Sequence, residues 1–336
     1  MSAKAPALLL LHPALNRDLL SDDALARLAR SCALVVPEPV ATLDDPRLAE
    51  HLERIELLVT GWGCPPLDAA ALDRLPKLRA AFHAAGTVKN HVTPECFARG
   101  VRVTSAAEAN AVPVAEFTLA AVVLANKGAF RARERYRELR AMRMWSQEIP
   151  GIGNAGKVVG VVGASRIGRR VIEGLRAYDL ACLLHDPTLS PAEAQALGAE
   201  ACELDDLLRR SDVVTLHAPS LPATRHMIDA RALALLRDGA VLVNTARGAL
   251  VDGDALTKEL VSGRIDAVID TTDPEVLPAD SPLYDLPNVF LTPHIAGSQG
   301  AETQRMFDLA LDELERFLAG EALEHEVRAE DWEHIA

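Results

Sequence analysis

The sequence predicts an α/β protein with two domains, each a doubly wound parallel sheet. The chain has 336 residues, which is more than one hydrophobic core usually holds. Short apolar runs alternate with segments of helical spacing along most of its length, as in β-α-β units. These runs are typical of buried strands in a parallel sheet that helices cover on both faces.

The first predicted domain contains four apolar runs of strand length with helical patterns between them. The predicted strands are 8–11, 33–36, 57–60 and 78–82, and the predicted helices are 24–29 and 67–75. A final amphipathic helix, predicted at 301–318, is expected to return to this domain. We therefore assign residues 1–108 plus 299–336 to one discontinuous domain and residues 109–298 to a second domain inserted into it.

The inserted domain begins with a helical segment, 112–127, that is apolar on almost every side. Such a helix must be buried between domains or between subunits, so we expect a homodimer. The Arg-rich stretch 131–143 also contains Glu134 and Glu138, which predicts i,i+4 ion pairs on a solvated or dimer-facing helix. After the loop 149–154, further strands are predicted at 158–162, 181–184, 213–216, 241–243, 267–269 and 289–291.

Composition and charge argue against several classes of protein. Hydrophobic residues make up 49% of the chain, which is enough for packed cores and argues against disorder. A net charge of −13 and a pI near 5.3 argue against nucleic acid or an anionic membrane as a partner. The N-terminal stretch 1–6 leads into an apolar run that is too short to cross a bilayer. The five scattered cysteines indicate a reducing cytoplasm, with neither a disulfide framework nor a metal site.

A glycine-rich turn between a predicted strand and a predicted helix (169–178) indicates a dinucleotide site. Residues 163–168 read Gly-Ala-Ser-Arg-Ile-Gly, a G-x-G-x-x-G pattern with Ser165 in the place of the second glycine. Gly163 and Gly168 permit the tight turn and the close helix packing that a bound pyrophosphate requires. The Ser165 hydroxyl can donate to a phosphate oxygen, although its side chain limits how closely the phosphate approaches.

The strand after this turn is followed by an acid, Asp186, in the sequence Leu183-Leu-His-Asp-Pro187. A carboxylate at this position can accept hydrogen bonds from an adenosine ribose and would repel a 2′-phosphate. The sequence therefore predicts NAD as the cofactor in preference to NADP. The alternative is that Asp186 only starts the turn before the proline.

Three reactive side chains lie just beyond the last three predicted strands: Arg247, Glu275 and His294. In an open α/β sheet, ligands bind at the carboxyl ends of the strands. A guanidinium, a carboxylate and an imidazole are the groups needed to hold a small carboxylate and to move a proton at its carbonyl. We predict that these three residues form an active site.

Several motifs resemble those of one enzyme family. They are Ala84-Ala-Gly-Thr87, Asn110-Ala-Val-Pro-Val-Ala-Glu-Phe117, Thr215-Leu-His-Ala-Pro-Ser220, Asn244-Thr-Ala-Arg-Gly248 and Thr292-Pro-His294. Together they resemble the D-isomer-specific 2-hydroxyacid dehydrogenases, most clearly from residue 84 to residue 297. The resemblance implies a Rossmann-type cofactor domain inserted in a flavodoxin-like substrate domain. It also implies NAD-dependent interconversion of a small 2-keto acid and its D-2-hydroxy acid.

The resemblance implies a role for each matching residue. Arg247 would bind the substrate carboxylate, and His294 would be the general acid in reduction and the base in oxidation. Glu275 would hydrogen-bond the imidazole and fix its tautomer, while Asp270 would receive the nicotinamide carboxamide. The other implied cofactor contacts are the backbone of Arg166 and Ile167 at the pyrophosphate, and His217, Pro219, Thr224, Thr245 and Ala246, with Arg247 and His294 beside the nicotinamide. The implied substrate contacts in the other domain are Ala85, Gly86 and Thr87.

Four residues near these motifs can be either functional or structural. His217 either lines the adenine side of the cofactor or is a satisfied core histidine. His83 and His91 flank the substrate loop, and we interpret them as structural. Trp62 lies between two glycines at a strand end, and we interpret it as gating the substrate, with core packing as the alternative.

The physiological substrate and two other functions stay open at this stage. Glyoxylate, hydroxypyruvate and bulkier 2-keto acids all fit the motifs. Phosphite oxidation shares the same triad, and so does a dinucleotide-sensing protein of corepressor type. Formate dehydrogenases have glutamine in the place of Glu275, and the longer phosphoglycerate dehydrogenases have an additional regulatory domain, so both match poorly. Val276 stands where the family usually has proline, which predicts a less rigid loop.

Overall fold

The computed structural model describes residues 4–149, 151–332 and 335, which form two compact units. The first unit comprises Met1–Asn110 and Ser298–Ala336, and the second unit comprises Ala111–Gly297. The first three residues of the N-terminal stretch and Pro150 of the loop 149–154 lie outside the described residues. Each unit contains one largely or wholly parallel sheet with helices, so the predicted fold class is confirmed.

The elements are numbered along the chain. The strands are β1 (Pro6–Leu10), β2 (Ala33–Leu34), β3 (Leu57–Thr60), β4 (Ala80–His83), β5 (Arg102–Ser105), β6 (Lys157–Val162), β7 (Leu180–His185), β8 (Glu200–Ala201), β9 (Val213–Leu216), β10 (Val241–Asn244), β11 (Asp266–Ile269), β12 (Val289–Leu291) and β13 (Glu326–Val327). The helices are α1 (Asp22–Ser31), α2 (Ala69–Asp73), α3 (Pro94–Ala98), α4 (Ala107–Asn126), α5 (Ala129–Leu139), α6 (Trp145–Glu148), α7 (Arg166–Leu175), α8 (Pro191–Leu197), α9 (Leu204–Arg210), α10 (Ala230–Leu235), α11 (Gly253–Val261) and α12 (Thr303–Ala319).

The sheet of the first unit has the strand order β13-β5-β4-β3-β1-β2. All of its pairs are parallel except the edge pair, in which β13 runs antiparallel to β5. Apolar side chains of α12, such as Phe307 and Leu311, are fully buried in the same core as Phe82 of β4. The order of the parallel strands is flavodoxin-like, and the strand order reverses between β1 and β3. The loops after these two strands therefore flank the position where such sheets bind ligands.

The sheet of the second unit has the strand order β12-β11-β10-β9-β6-β7-β8, and all of its pairs are parallel. Its first strand, β6, lies in the middle, next to β9, which is the Rossmann arrangement. The carboxyl ends of all these strands lie at one edge of the sheet. The predicted cofactor and catalytic residues of this unit follow β6, β7, β9, β10, β11 and β12 at that edge.

Two helices early in the second predicted domain relate to predictions made from the sequence. By length and composition α4 could cross a membrane, but the core helices of soluble proteins often meet the same criteria. Within the single chain only 39% of its apolar window is buried, so the cover expected from a second subunit stays a prediction. In α5 no residue is buried, and its ion pairs along the helix include Arg135–Glu138 and Arg137–Glu134, at i,i+3 spacing rather than i,i+4. Arg131 of the same helix pairs with Asp266 of β11.

Candidate active site

The glycine turn after β6 has no room for side chains at two positions. Gly163 has a φ of +96°, and a Cβ on it would lie 2.6 Å from the backbone nitrogen of Ala218. A Cβ on Gly168 would lie 2.0 Å from the carbonyl oxygen of Gly163. The backbone of this turn is therefore packed against the loop after β9, and glycine is needed at both positions.

Ser165, the residue that interrupts the glycine pattern, is the N-cap of α7. Its Oγ accepts a hydrogen bond from the N–H of Gly168 at 3.3 Å. Because of this cap, the helix begins at Arg166 and not at the predicted residue 169. The hydroxyl proton of Ser165 is not used in that bond and can be donated to a phosphate. Arg166 is exposed and Ile167 is partly buried in the first turn of the helix.

Asp186, just after β7, bonds to the same turn. One carboxylate oxygen accepts from the N–H of Ala164 at 2.6 Å, and the other accepts from the N–H and the hydroxyl of Thr188 at 2.8 and 2.6 Å. Burial raises the pKa of Asp186, but these hydrogen bonds outweigh it and hold the pKa below its ordinary value. The carboxylate is therefore ionised at neutral pH.

His217, in the loop after β9, is only 3% exposed. Its Nε2 pairs with the Thr215 hydroxyl at 2.9 Å, while Nδ1 is buried and has no partner among the described residues. Burial lowers the pKa of the ring to about 3, so the imidazole is neutral at pH 7. A core histidine would have both nitrogens satisfied, which this one does not. Further along the loop, the Thr224 hydroxyl donates to the carbonyl of Pro219 at 2.6 Å.

Asn244, at the end of β10, fixes the loop that carries Arg247. The residue is 2% exposed. The Asn244 side chain donates to the carbonyl of Arg247 at 2.9 Å and accepts from the N–H of Ala246 at 3.1 Å. The guanidinium uses one N–H on the Ala246 carbonyl, which leaves donors for a bidentate contact with a carboxylate. The Thr245 hydroxyl is paired with Thr118 of α4 at 2.8 Å.

Glu275 and His294 form a close pair although they are separated by 19 residues in the chain. The Nδ1 of His294 lies 2.6 Å from a carboxylate oxygen of Glu275. The Thr272 hydroxyl donates to the carbonyl of Glu275 at 2.9 Å and so fixes the loop that carries it. Burial lowers the pKa of the nearby Arg247 guanidinium, and the charge of Glu275 opposes that shift. The carboxylate therefore bonds to the imidazole and acts electrostatically on the guanidinium.

Asp270 is 2% exposed and organises the backbone on which His294 lies. Its carboxylate accepts from the Thr292 hydroxyl at 2.7 Å, from the N–H of Ile295 at 2.8 Å and from the N–H of Ala296 at 3.0 Å. His294 itself has a φ of +58°, in the left-handed region that non-glycine residues rarely adopt. The sequence interpretation gave Asp270 only a cofactor contact and did not include this support of the loop.

In the first unit, Trp62 follows β3 and its backbone is held by Asn16. The Asn16 amide donates to the carbonyl of Trp62 at 2.8 Å, and its oxygen accepts from the N–H of Trp62 at 3.1 Å. The Trp62 side chain is partly buried against the core of this unit. The backbone of this tryptophan is thus fixed on both sides, and sequence reasoning did not find Asn16.

The predicted substrate loop of the first unit follows β4. The carbonyl of Ala85 accepts from the N–H of Ala106 at 3.1 Å, and the carbonyl of Gly86 accepts from the Ser105 hydroxyl at 2.5 Å. Ala85 is buried, and Gly86 and Thr87 are partly buried. The predicted site residues thus occur in both units: this loop and Trp62 in the first, and all the others in the second.

The residues at the edge of the second sheet fit an NAD molecule. The first turn of α7 presents backbone N–H groups to which a phosphate can bind, and glycine at 163 and 168 allows this turn to pack closely on itself and on the loop after β9. The unpartnered Nδ1 of His217 is available to a polar group of a ligand. Among the described residues, no three His, Cys, Asp or Glu side chains are grouped as metal ligands would be.

Comparison with known proteins identifies the family. The sequence model of the D-isomer specific 2-hydroxyacid dehydrogenase NAD binding domain matches residues 119–296. The chain is 36% identical over 259 residues to D-3-phosphoglycerate dehydrogenase of Mycobacterium tuberculosis. The aligned part covers 76% of this chain and 48% of that protein. It is 31% identical over 311 residues to (S)-sulfolactate dehydrogenase of Chromohalobacter salexigens, which covers 90% of this chain and 96% of that one.

The fold gives the same assignment. The structure of apo D-mandelate dehydrogenase from Rhodotorula graminis superposes with a TM-score of 0.79 and 25% identity, over 96% of this chain and 98% of that chain. The chain spans about half the length of the mycobacterial relative. It covers nearly the whole of the other two proteins. The chain therefore belongs to the D-isomer-specific 2-hydroxyacid dehydrogenase family.

Proposed function

We propose that the protein interconverts a small 2-keto acid and its D-2-hydroxy acid with NAD(H) as the cofactor. The observation that carries this proposal is the 2.6 Å hydrogen bond between His294 and Glu275 beside the partly buried Arg247. This arrangement holds a guanidinium for a carboxylate next to a group that can exchange a proton. Glyoxylate, hydroxypyruvate and bulkier 2-keto acids are the candidates for the substrate.

Each residue has one task in this proposal. The Nδ1–H of His294 bonds to Glu275, which leaves Nε2 to give a proton to the substrate oxygen in reduction and to take it back in oxidation. Arg247 binds the substrate carboxylate through two parallel N–H donors. Asp270 holds the backbone of the His294 loop, and one of its acceptor sites remains for an amide donor. NADH, when bound, supplies the hydride.

We propose that NAD is preferred over NADP. Asp186 is ionised and fixed by three hydrogen bonds. Its charge favours a ribose with two free hydroxyls, because a 2′-phosphate would meet a like charge there. The Gly163–Gly168 turn with the Ser165 hydroxyl is proposed to hold the pyrophosphate.

We propose that the protein is located in the cytoplasm and forms a homodimer. The support for a dimer is the apolar surface on and just after α4 and α5, where Leu124, Tyr136, Met142 and Met144 are 44%, 55%, 89% and 65% exposed. These exposed apolar side chains lie in one stretch of the chain, and exposed apolar surface is typical of an interface. Sedimentation that gives a monomer at micromolar concentration would contradict the dimer.

The function is tested by following NADH absorbance with a panel of 2-keto acids and with phosphite in the reverse direction. We expect turnover of at least one 2-keto acid and none of phosphite. His294→Asn keeps a residue that tolerates a left-handed backbone and removes the imidazole. It should lower kcat by about 10²–10⁴-fold while NADH still binds. His51→Asn, in the first unit, is the control and should leave kcat unchanged.

Two results would contradict the proposal. Binding of NADH without turnover of any 2-keto acid would favour the sensing function. A His294→Asn variant with an unchanged kcat would remove His294 from the reaction.

A further inference from the structure

Three polar side chains are buried together in the first unit, below the proposed substrate loop. Thr60 ends β3, His83 ends β4, and His91 lies in the loop before α3. They are 0%, 3% and 3% exposed. A polar group buried this completely costs free energy unless it is hydrogen-bonded. None of the three side chains has a part in the reaction proposed above.

One hydroxyl joins the two imidazoles. The Oγ1 of Thr60 lies 2.9 Å from Nδ1 of His83 and 3.4 Å from Nε2 of His91. A hydroxyl carries one proton, so it donates to one ring and accepts from the other. The two rings also contact each other, with their centroids 4.2 Å apart. Removal of the hydroxyl would leave both rings facing a group that cannot bond to them.

The cluster connects the two ends of the loop 84–90. His83 directly precedes the loop and His91 directly follows it. The backbone of the same residues is fixed as well, because Ala84 N–H donates to the carbonyl of Thr60 at 2.8 Å and Leu67 N–H donates to the carbonyl of His91 at 2.7 Å. Inside the loop, the carbonyl of Gly86 is bonded to Ser105. The N–H of Gly86 donates to none of the described residues, so it is available to an anion.

Both rings are held in the neutral form. Burial lowers the pKa of His91 to about 4. Burial and the neighbouring His91 lower the pKa of His83 well below its ordinary value, and the backbone of Thr87 opposes that shift. Neutral rings can keep the alternating donor and acceptor pattern that a shared hydroxyl requires.

We propose that Thr60 is a positioning residue for the substrate: its hydroxyl, shared by His83 and His91, fixes the conformation of the loop 84–90, which carries the predicted substrate contacts. This inference rests on the proposed 2-keto acid reduction. Thr60 touches neither the substrate nor the cofactor and acts only through the loop.

The test compares Thr60→Val with Thr60→Ser. Valine has the shape of threonine but no hydroxyl, whereas serine keeps the hydroxyl and loses a methyl group. We expect Thr60→Val to raise KM for the 2-keto acid by about tenfold, with a smaller change in kcat. The Kd for NADH should stay within about twofold of the wild-type value, because the proposed cofactor contacts all belong to the second unit. Thr60→Ser should have a KM close to that of the wild type.

Hydrogen exchange of the segment 84–91 gives a second measurement that does not depend on turnover. We expect faster amide exchange in this segment in Thr60→Val and wild-type exchange in Thr60→Ser, at a temperature where thermal unfolding shows both variants folded. If Thr60→Val leaves KM and exchange unchanged, the positioning role is wrong. If the wild type reduces no 2-keto acid, the proposed function is wrong, and exchange alone then supports or overturns the link between Thr60 and the loop.

Discussion

Gly248 and Thr272 approach each other so closely that a Cβ on Gly248 would lie 2.1 Å from the carbonyl carbon of Thr272. The loop that carries Arg247 and the loop that carries Glu275 therefore touch backbone to backbone. No flexible side chain lies between them to absorb an added methyl group.

Gly248→Ala should accordingly push the two loops apart and disturb Arg247 and Glu275 together. We expect kcat/KM to fall by about 10²-fold, because a displacement of about 1 Å in an active site has an effect of that size. Gly253→Ala is the matched control, since its Cβ would come no closer than 3.8 Å to another residue. Steady-state kinetics of both variants checks the prediction, and equal losses in the two would refute it.

Asn16→Ala should loosen the backbone at Trp62 and at His12, the two residues to which the Asn16 side chain bonds. The Asn16 amide also donates to the carbonyl of His12 at 2.7 Å. Alanine leaves the N–H of Trp62 without its acceptor, while the carbonyls of Trp62 and His12 keep the bonds from the N–H groups of His12 and Leu15. We expect a loss of about 1–3 kcal/mol of stability. If Trp62 controls the size of the substrate, the ratio of kcat/KM between phenylpyruvate and glyoxylate should also change. Asn16→Asp keeps the acceptor for the N–H of Trp62 but turns an oxygen towards the two carbonyls at a site that is only 1% exposed, so it should lower the melting temperature as well.

Asp186→Ser should weaken the preference for NAD. The variant removes a carboxylate that would repel a 2′-phosphate, and Arg169, whose charge acts on Asp186, then remains nearby. We expect the ratio of kcat/KM for NADPH to that for NADH to rise by about tenfold or more. Asp280→Ser, an exposed change in the same unit, serves as the control. A ratio that does not change would remove Asp186 from cofactor selection.

The buried histidines predict that stability falls when the pH is lowered from 6.5 towards 5. His83, His91 and His217 have folded-state pKa values below the ordinary 6.5, so the unfolded chain binds more protons than the folded chain in this range. Their contribution is complete above pH 6.5 and is lost as the pH falls towards the folded pKa. The slope is about 1.4 kcal/mol per pH unit for each histidine that titrates on unfolding.

Urea denaturation at several pH values measures this slope, and most carboxylates contribute little above pH 5. His91→Gln should remove the contribution of one histidine, so the slope of the unfolding free energy against pH should fall by about 1.4 kcal/mol per pH unit. A free energy of unfolding that stays constant between pH 6.5 and 5 would contradict the prediction.

Sequence patterns predicted the parallel strands well because buried strands are strongly apolar. The strands at 57–60, 213–216 and 289–291 have the predicted bounds. The two-residue strands β8 and β13 were not predicted, since so short a segment has no periodicity. The parallel strand β5 was also missed, because its residues Arg-Val-Thr-Ser do not form an apolar run. The strand predicted at 33–36 ends at Leu34, although the N–H of Val35 still donates to the carbonyl of Ala7 in β1 at 2.9 Å.

The supports of the candidate site could not be predicted in the same way. Asn16, Asn244 and Thr272 act on loops through single hydrogen bonds, and no local pattern marks an asparagine or threonine for that purpose. The bond from Asn16 to Trp62 spans 46 residues. A contact of that separation is decided by how the strands are ordered in the sheet. Ser165 is different, because a serine before a helix is a recognised N-cap signal and could have been used.

The proposed hydride and proton chemistry uses side chains from one unbroken stretch of chain, 163–294, whereas Trp62 and the loop 84–90 belong to the other unit. Recombination that replaces the segments 1–110 and 298–336 together would therefore leave every reacting side chain unchanged. New substrates could then be acquired in evolution by changing one unit while the other is inherited intact. Chimaeras between relatives would reveal whether this protein retains that independence.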